Sequence, residues 1–139
     1  MSRPYRHHPL VLVVDDDAAL RVSIRALLES LGYVVSTVCN AYEAIVEIGA
    51  QRPDAILTDI YMPEGDGYEL ITTIRDFGED IPVIAMSGGP YLVGTDHVGI
   101  NDYLGMAERL GAVATIAKPF RPSELVATID RAIGGRAMA

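Results

Sequence analysis

Apolar residues in this chain gather into five short runs, separated by stretches in which they recur every three or four positions. The first run, Leu10 to Val14, is rich in β-branched residues and stops at Asp15, Asp16 and Asp17, which predicts a buried strand ending at a polar edge. Leu20, Ile24, Leu27, Leu28 and Leu31 then keep helical spacing, with an aspartate to cap the start and Gly32 where the helix stops. Tyr33 to Val38 predicts a second strand, and Asn40 followed by Glu43 predicts a capping box before a helix carrying Ala44, Ile45 and Ile48.

The alternation continues after Pro53. Ala55 to Thr58 predicts a strand ending at Asp59, followed by the turn-rich segment Met62 to Gly67 and a helix carrying Tyr68, Ile71 and Ile74. Pro82 to Met86 predicts a fourth strand ending at Ser87, and Val113 to Ala117 a fifth ending at Lys118. Tyr103, Met106, Ala107 and Leu110 space out a helix ending at Gly111, and a last helix is expected from Pro122 to Ile133, stopped by Gly134 and Gly135. Strands alternating with helices predict an α/β fold, a parallel sheet covered on both faces.

Composition narrows what such a fold does. Half of the 139 residues are apolar, enough for one domain with a genuine core and too few residues for a second. The expected limits are an amino-terminal arm over residues 1–8, the domain over 9–134 and a frayed tail over 135–139. A net charge of −8 and a pI near 4.7 disfavour direct nucleic-acid binding, which draws on clustered Lys and Arg. The single cysteine, Cys39, cannot form an internal disulfide, and no apolar run is long enough to span a membrane, so a cytoplasmic protein is the expectation.

The predicted strand ends collect chemistry. Asp15 and Asp16, Asp59, Ser87 and Lys118 all fall at the carboxyl edge, where open α/β sheets bind ligands. Clustered carboxylates repel one another unless a cation neutralises them, and hard oxygen donors select Mg²⁺ or a similar divalent ion. One carboxylate can then act as nucleophile toward a phosphoryl group, while Lys118 neutralises its oxygens and Ser87 donates a hydrogen bond.

Val13-Val14-Asp15-Asp16-Asp17, Thr58-Asp59-Ile60-Tyr61-Met62-Pro63, Ser87 and Lys118-Pro119-Phe120 together resemble the receiver domains of response regulators in two-component signalling, over roughly residues 9–134. The resemblance implies a doubly wound, flavodoxin-like sheet of five parallel strands in the order 2-1-3-4-5. It makes Asp59 the phosphoacceptor, with Ser87 and Lys118 as its catalytic partners. Asp15, Asp16, Asp59 and the Tyr61 backbone carbonyl become the Mg²⁺ ligands. It further implies a phosphorylation-dependent switch: a sensor histidine kinase or phosphotransfer protein as donor, a downstream protein as target, and self-association left open. Receivers of this kind catalyse their own phosphorylation and dephosphorylation rather than turning over a substrate.

Two features depart from the family's pattern. Thr115 stands three residues before the lysine, where members carry an aromatic switch residue, and the interval from Ser87 to Lys118 is long, with an insertion at about 88–100. Signalling is therefore expected to run through that insertion. Tyr91 and Tyr103 are read as packing residues, Asp17 as a helix cap, Glu64 and Asp66 as solvated loop carboxylates, His7 and His8 as part of a flexible arm rather than metal ligands, and His97 likewise as no ligand. Two other functions fit some of the residues. Asp15-x-Asp17 matches the nucleophile motif of haloacid-dehalogenase-type phosphohydrolases, and a degenerate receiver would serve as a docking module without phosphorylation.

Overall fold

Five short strand segments, the central ones buried and apolar, pair into one parallel sheet. The computed structural model of the protein describes residues 8–60, 62, 67–76, 80–88 and 100–138. Within them the order is β1 (Leu10–Val14), α1 (Ala18–Ser30), β2 (Val34–Val38), α2 (Ala41–Ala50), β3 (Ala55–Asp59), α3 (Gly67–Asp76), β4 (Val83–Gly88), α4 (Ile100–Leu110), β5 (Ala114–Lys118) and α5 (Pro122–Met138). The strands lie in the order β2-β1-β3-β4-β5, the doubly wound arrangement that the resemblance implied.

Alternation along each strand divides the core into two layers. Val11 and Val13 of β1, Leu57, Ile84, Met86 and Ile116 face Ile24 and Leu28 of α1 and Leu125 and Ile129 of α5. Leu12 and Val14, Ile56, Val83 and Ala85 face Ala41 and Ala44 of α2, Leu70, Ile71 and Ile74 of α3, and Ala107 of α4. Both faces of the central strands are buried, so β1, β3 and β4 open as apolar runs, as buried parallel strands require. Each fully buried Leu or Ile contributes about 1.5–3 kcal/mol, which fixes the register wherever a slip would turn it to the opposite face.

Local signals set most boundaries. Asp17 caps α1, its Oδ1 accepting from the Leu20 amide at 3.2 Å, and Asn40 caps α2, its Oδ1 accepting from the Glu43 amide at 2.8 Å. Glu43 reaches back to the Cys39 amide at 3.1 Å, one residue earlier than a regular capping box would. Gly32, just past α1, takes φ of +95°, the left-handed conformation that ends helices.

Several expectations are corrected. The final helix does not stop at Ile133: α5 continues through Gly134 and Gly135 to Met138. Glycine keeps its N–H and costs only about 1 kcal/mol relative to alanine in a helix, so without a proline it weakens the helix rather than breaking it. Met106 is 42% exposed, whereas Ala107 is buried and Leu110 partly so; the helical stripe of α4 is narrower than the spacing suggested. The second strand begins at Val34, one residue later than expected, the fourth runs from Val83 to Gly88, and the fifth from Ala114 to Lys118. His8 is held against the chain, its Nδ1 3.0 Å from the Gly32 carbonyl oxygen. His7, Glu64, Asp66, Tyr91, His97 and insertion residues 89–99 lie outside the described residues.

The amino ends of the strands are closed by side chains. Asp54 Oδ2 accepts from the Leu10 amide at 2.8 Å. Arg75 at the end of α3 donates to the Ile81 carbonyl at 3.2 Å and the Gly111 carbonyl at 2.8 Å, tying α3 to the start of β4 and the end of α4. Arg52 pairs with Asp80 at 2.7 Å on the surface.

Candidate functional site

Strand order reverses at β1, which sits between β2 and β3, so a crevice opens beyond the carboxyl ends of β1 and β3. Asp15 follows β1 directly and Asp59 is the last residue of β3; the sheet delivers both to that crevice. Across the sheet, β5 ends on Lys118 and β4 carries Ser87 as its penultimate residue, paired in register with Ala117. Lys118 is joined to Pro119 by a cis peptide bond.

The side chains converge. Lys118 Nζ lies 2.8 Å from Asp15 Oδ2 and 3.1 Å from Asp59 Oδ2, so one ammonium bridges the ends of β1 and β3 from β5. Asp15, Asp16 and Asp59 each offer a carboxylate oxygen, all within 4.8 Å of one another. Asp15 and Asp59 are buried, whereas Asp16 is exposed at the rim. Burial works against the Lys118 charge, but the hydrogen bond to Asp15 and the negative charges of Asp59 and Asp15 outweigh it and raise its pKa above the ordinary lysine value.

Each carboxylate is held differently. Asp15 has both oxygens engaged, Oδ2 by Lys118 and Oδ1 by the Asp17 amide at 2.9 Å. Its main-chain carbonyl accepts from Arg21 Nη1 at 2.6 Å. Asp17 serves as the α1 cap, the role expected of it, with Oδ1 accepting from the Leu20 amide. Asp16 makes no hydrogen bond among the described residues.

Room beneath Asp59 comes from a glycine. Gly67 opens α3 with its amide on the Ile60 carbonyl at 3.0 Å, and a Cβ there would collide with the Asp59 carbonyl oxygen and lie 2.9 Å from Ile60 Cα. No side chain fits without displacing the end of β3. Thr58 Oγ1 donates to the Asp59 carbonyl at 3.0 Å and steadies the same peptide.

Ser87 stands apart. It is fully buried, and its Oγ has no hydrogen-bond partner among the described residues. Buried hydroxyls are nearly always paired, so an orphan at this edge of the sheet is an exception. The donor set also fits a hard divalent cation: oxygens only, from three carboxylates of which two pair with one ammonium among the described residues.

Of the residues singled out in the sequence, Asp15, Asp16, Asp59 and Lys118 are thus brought together, and Ser87 shares their edge. Tyr61, whose carbonyl was expected as a further ligand, lies outside the described residues. Thr115 is half-buried on β5, in register with Ala85. Sequence reasoning missed Arg21, although its place four residues after the capping aspartate puts it on the helix face above the β1 edge. The expected capping bond of Glu43 falls on Cys39 instead, accepting from its amide at 3.1 Å and its thiol at 3.3 Å; these bonds hold its carboxyl below the usual value.

Comparison with known proteins agrees with this arrangement. The family described as "Response regulator receiver domain" matches residues 11–130. The response regulator MprA of Mycobacterium ulcerans is 36% identical over 121 residues, covering 84% of this chain and 47% of that protein, and MprA of Mycobacterium tuberculosis matches to the same extent. The chain therefore spans about half the length of these curated relatives. Among solved structures, the receiver domain of NtrX from Brucella abortus superposes with a TM-score of 0.78 at 27% identity, covering 89% of this chain and 98% of that one. The chemotaxis response regulator CheY4 of Vibrio cholerae gives 0.77 at 26%, covering 90% and 98%. A family match over most of the chain shows that the chain belongs to the response regulator receiver domains.

Proposed function

We propose that the chain is a phosphorylation-dependent signalling switch that accepts a phosphoryl group on Asp59. The observation that carries this reading is the convergence of Asp59 with Asp15, Asp16 and Lys118 beside a buried Ser87 hydroxyl that has no partner among the described residues. An Asp59 oxygen attacks the phosphorus of a phosphohistidine on a sensor kinase or phosphotransfer protein. The P–N bond breaks, the electron pair returns to the imidazole, and an acyl phosphate forms.

Lys118 is placed to follow the charge. Its ammonium, already 3.1 Å from Asp59 Oδ2, shifts from carboxylate to phosphoryl oxygen as the bond forms, and Ser87 Oγ gains an acceptor. A divalent cation such as Mg²⁺, held by Asp15, Asp16, Asp59 and the Tyr61 carbonyl, would supply further neutralisation of the phosphoryl oxygens. Redistribution of Lys118 and Ser87 biases the surface that a downstream protein reads. The expected setting is the cytoplasm; among the described residues no helix is long and apolar enough to cross a membrane.

Intact mass after incubation with acetyl phosphate and Mg²⁺ tests the reading. The expected result is a gain of one phosphoryl group that disappears in Asp59→Asn and in the metal-free control. No gain in the wild type, despite Mg²⁺ binding, would leave the fold as a docking module.

A further inference from the structure

The loop between β1 and α1 is tied down by four hydrogen bonds around one free carboxylate. Asp15 Oδ1 accepts from the Asp17 amide, Asp17 Oδ1 accepts from the Leu20 amide, and the Asp17 carbonyl accepts from the Arg21 amide at 3.0 Å. The Arg21 side chain then turns back and donates from Nη1 to the Asp15 carbonyl at 2.6 Å. Asp15 and Asp17 are consumed by these bonds and by Lys118, whereas Asp16, between them, makes none among the described residues.

From this we infer that Arg21 is a positioning residue for divalent cation binding, acting through the Asp15–Asp16 peptide. That peptide is planar, so fixing the Asp15 carbonyl oxygen also fixes the plane from which Asp16 departs. A guanidinium is suited to this role because it is always charged and makes a short charge-assisted bond from a rigid fork, and Arg21 is itself half-buried on α1. The bond lies one shell outside the carboxylates, where partners orient ligands without touching the ion. The inference rests on the reading of the acidic cluster as a metal site.

Coulomb's law alone predicts the opposite effect. A positive guanidinium near a cation site repels the cation, so removing it should tighten binding; positioning predicts that removal weakens it. The sign of the change therefore separates a positioning residue from a bystander charge.

Mn²⁺ titration of the full chain, followed by the electron paramagnetic resonance signal of free Mn²⁺, measures this directly in wild type, Asp16→Asn, Arg21→Met and Arg21→Lys. Arg21→Met keeps an apolar stem, and circular dichroism without metal establishes that each variant is folded. Arg21→Met is expected to bind Mn²⁺ about tenfold more weakly, with Arg21→Lys restoring part of the loss. Affinity in Arg21→Met equal to or tighter than wild type would overturn the inference. Absence of Mn²⁺ binding in wild type and Asp16→Asn alike would instead remove the metal site itself, and the inference with it. Should Arg21→Met not fold, Arg21→Lys decides alone: binding weaker than wild type supports positioning, and unchanged binding overturns it.

Discussion

The two ends of the sheet use the same charged residue types to opposite purpose. At the carboxyl ends, Asp15, Asp59 and Lys118 are brought together with side-chain exposures of 0%, 8% and 18%. At the amino ends, Arg52 and Asp80 make a bond of similar length at 43% and 81% exposure. Water screens the second pair and competes for its partners, so it adds little to stability or to chemistry. The first cluster is shielded, so each charge is felt strongly by the others and by whatever binds. The amino end is also closed by hydrogen bonds, with Asp54 on the Leu10 amide and Arg75 on two carbonyls. The carboxyl end keeps Ser87 and Asp16 without a hydrogen-bond partner among the described residues. One end of the sheet is finished as structure; the other is left with unfilled valences.

Three substitutions sharpen that contrast. Lys118→Ala removes the ammonium that bridges Asp15 and Asp59 and should destabilise the metal-free protein by about 3 kcal/mol in urea unfolding, with much of the loss recovered in Mg²⁺. The pH dependence follows from the raised Lys118 pKa. The stabilisation from its ion pairs is complete below the unfolded-state lysine value of about 10.4 and is lost as pH climbs through the higher folded value. Wild-type stability should therefore fall above about pH 10.4 by an increment that Lys118→Ala lacks, measured by thermal melts across that range.

Ser87→Ala should act in the opposite sense. Deleting an unsatisfied buried hydroxyl should stabilise the metal-free protein by about 1 kcal/mol while slowing phosphoryl gain from acetyl phosphate, followed by mass against time. A destabilised Ser87→Ala would mean the hydroxyl is paired in solution. At the amino end, Arg52→Ala should change stability by less than about 0.5 kcal/mol and leave phosphoryl gain at the wild-type rate. A larger effect there would erase the distinction between the two ends.

Much of this was legible in the chain because periodicity and caps are local. Asp17, Asn40 and Pro122 announce their helix starts, and apolar runs announce buried strands, since backbone sterics and the preference for dry faces act within a few residues. The same local logic misjudged Gly134 and Gly135, where a weak propensity had nothing to enforce a stop, and Met106, where only the neighbouring helices determine which side faces the core. Asp15, Asp16, Asp59, Ser87 and Lys118 could be named from their places at the strand ends and from the family resemblance.

By itself the sequence determined the α/β alternation and which residues stand at the carboxyl ends of the strands. What only the tertiary structure decided is how those ends divide the work. Lys118 bridges Asp15 and Asp59 across 103 and 59 positions of chain. Arg21 turns its guanidinium onto the Asp15 carbonyl, Gly67 admits the Asp59 carbonyl beneath α3, and Ser87 is sealed away with no partner among the described residues. Those outcomes depend on sheet order and on which side chains exclude water from one another. Distances of that kind arise only when distant segments pack, and no local spacing encodes them.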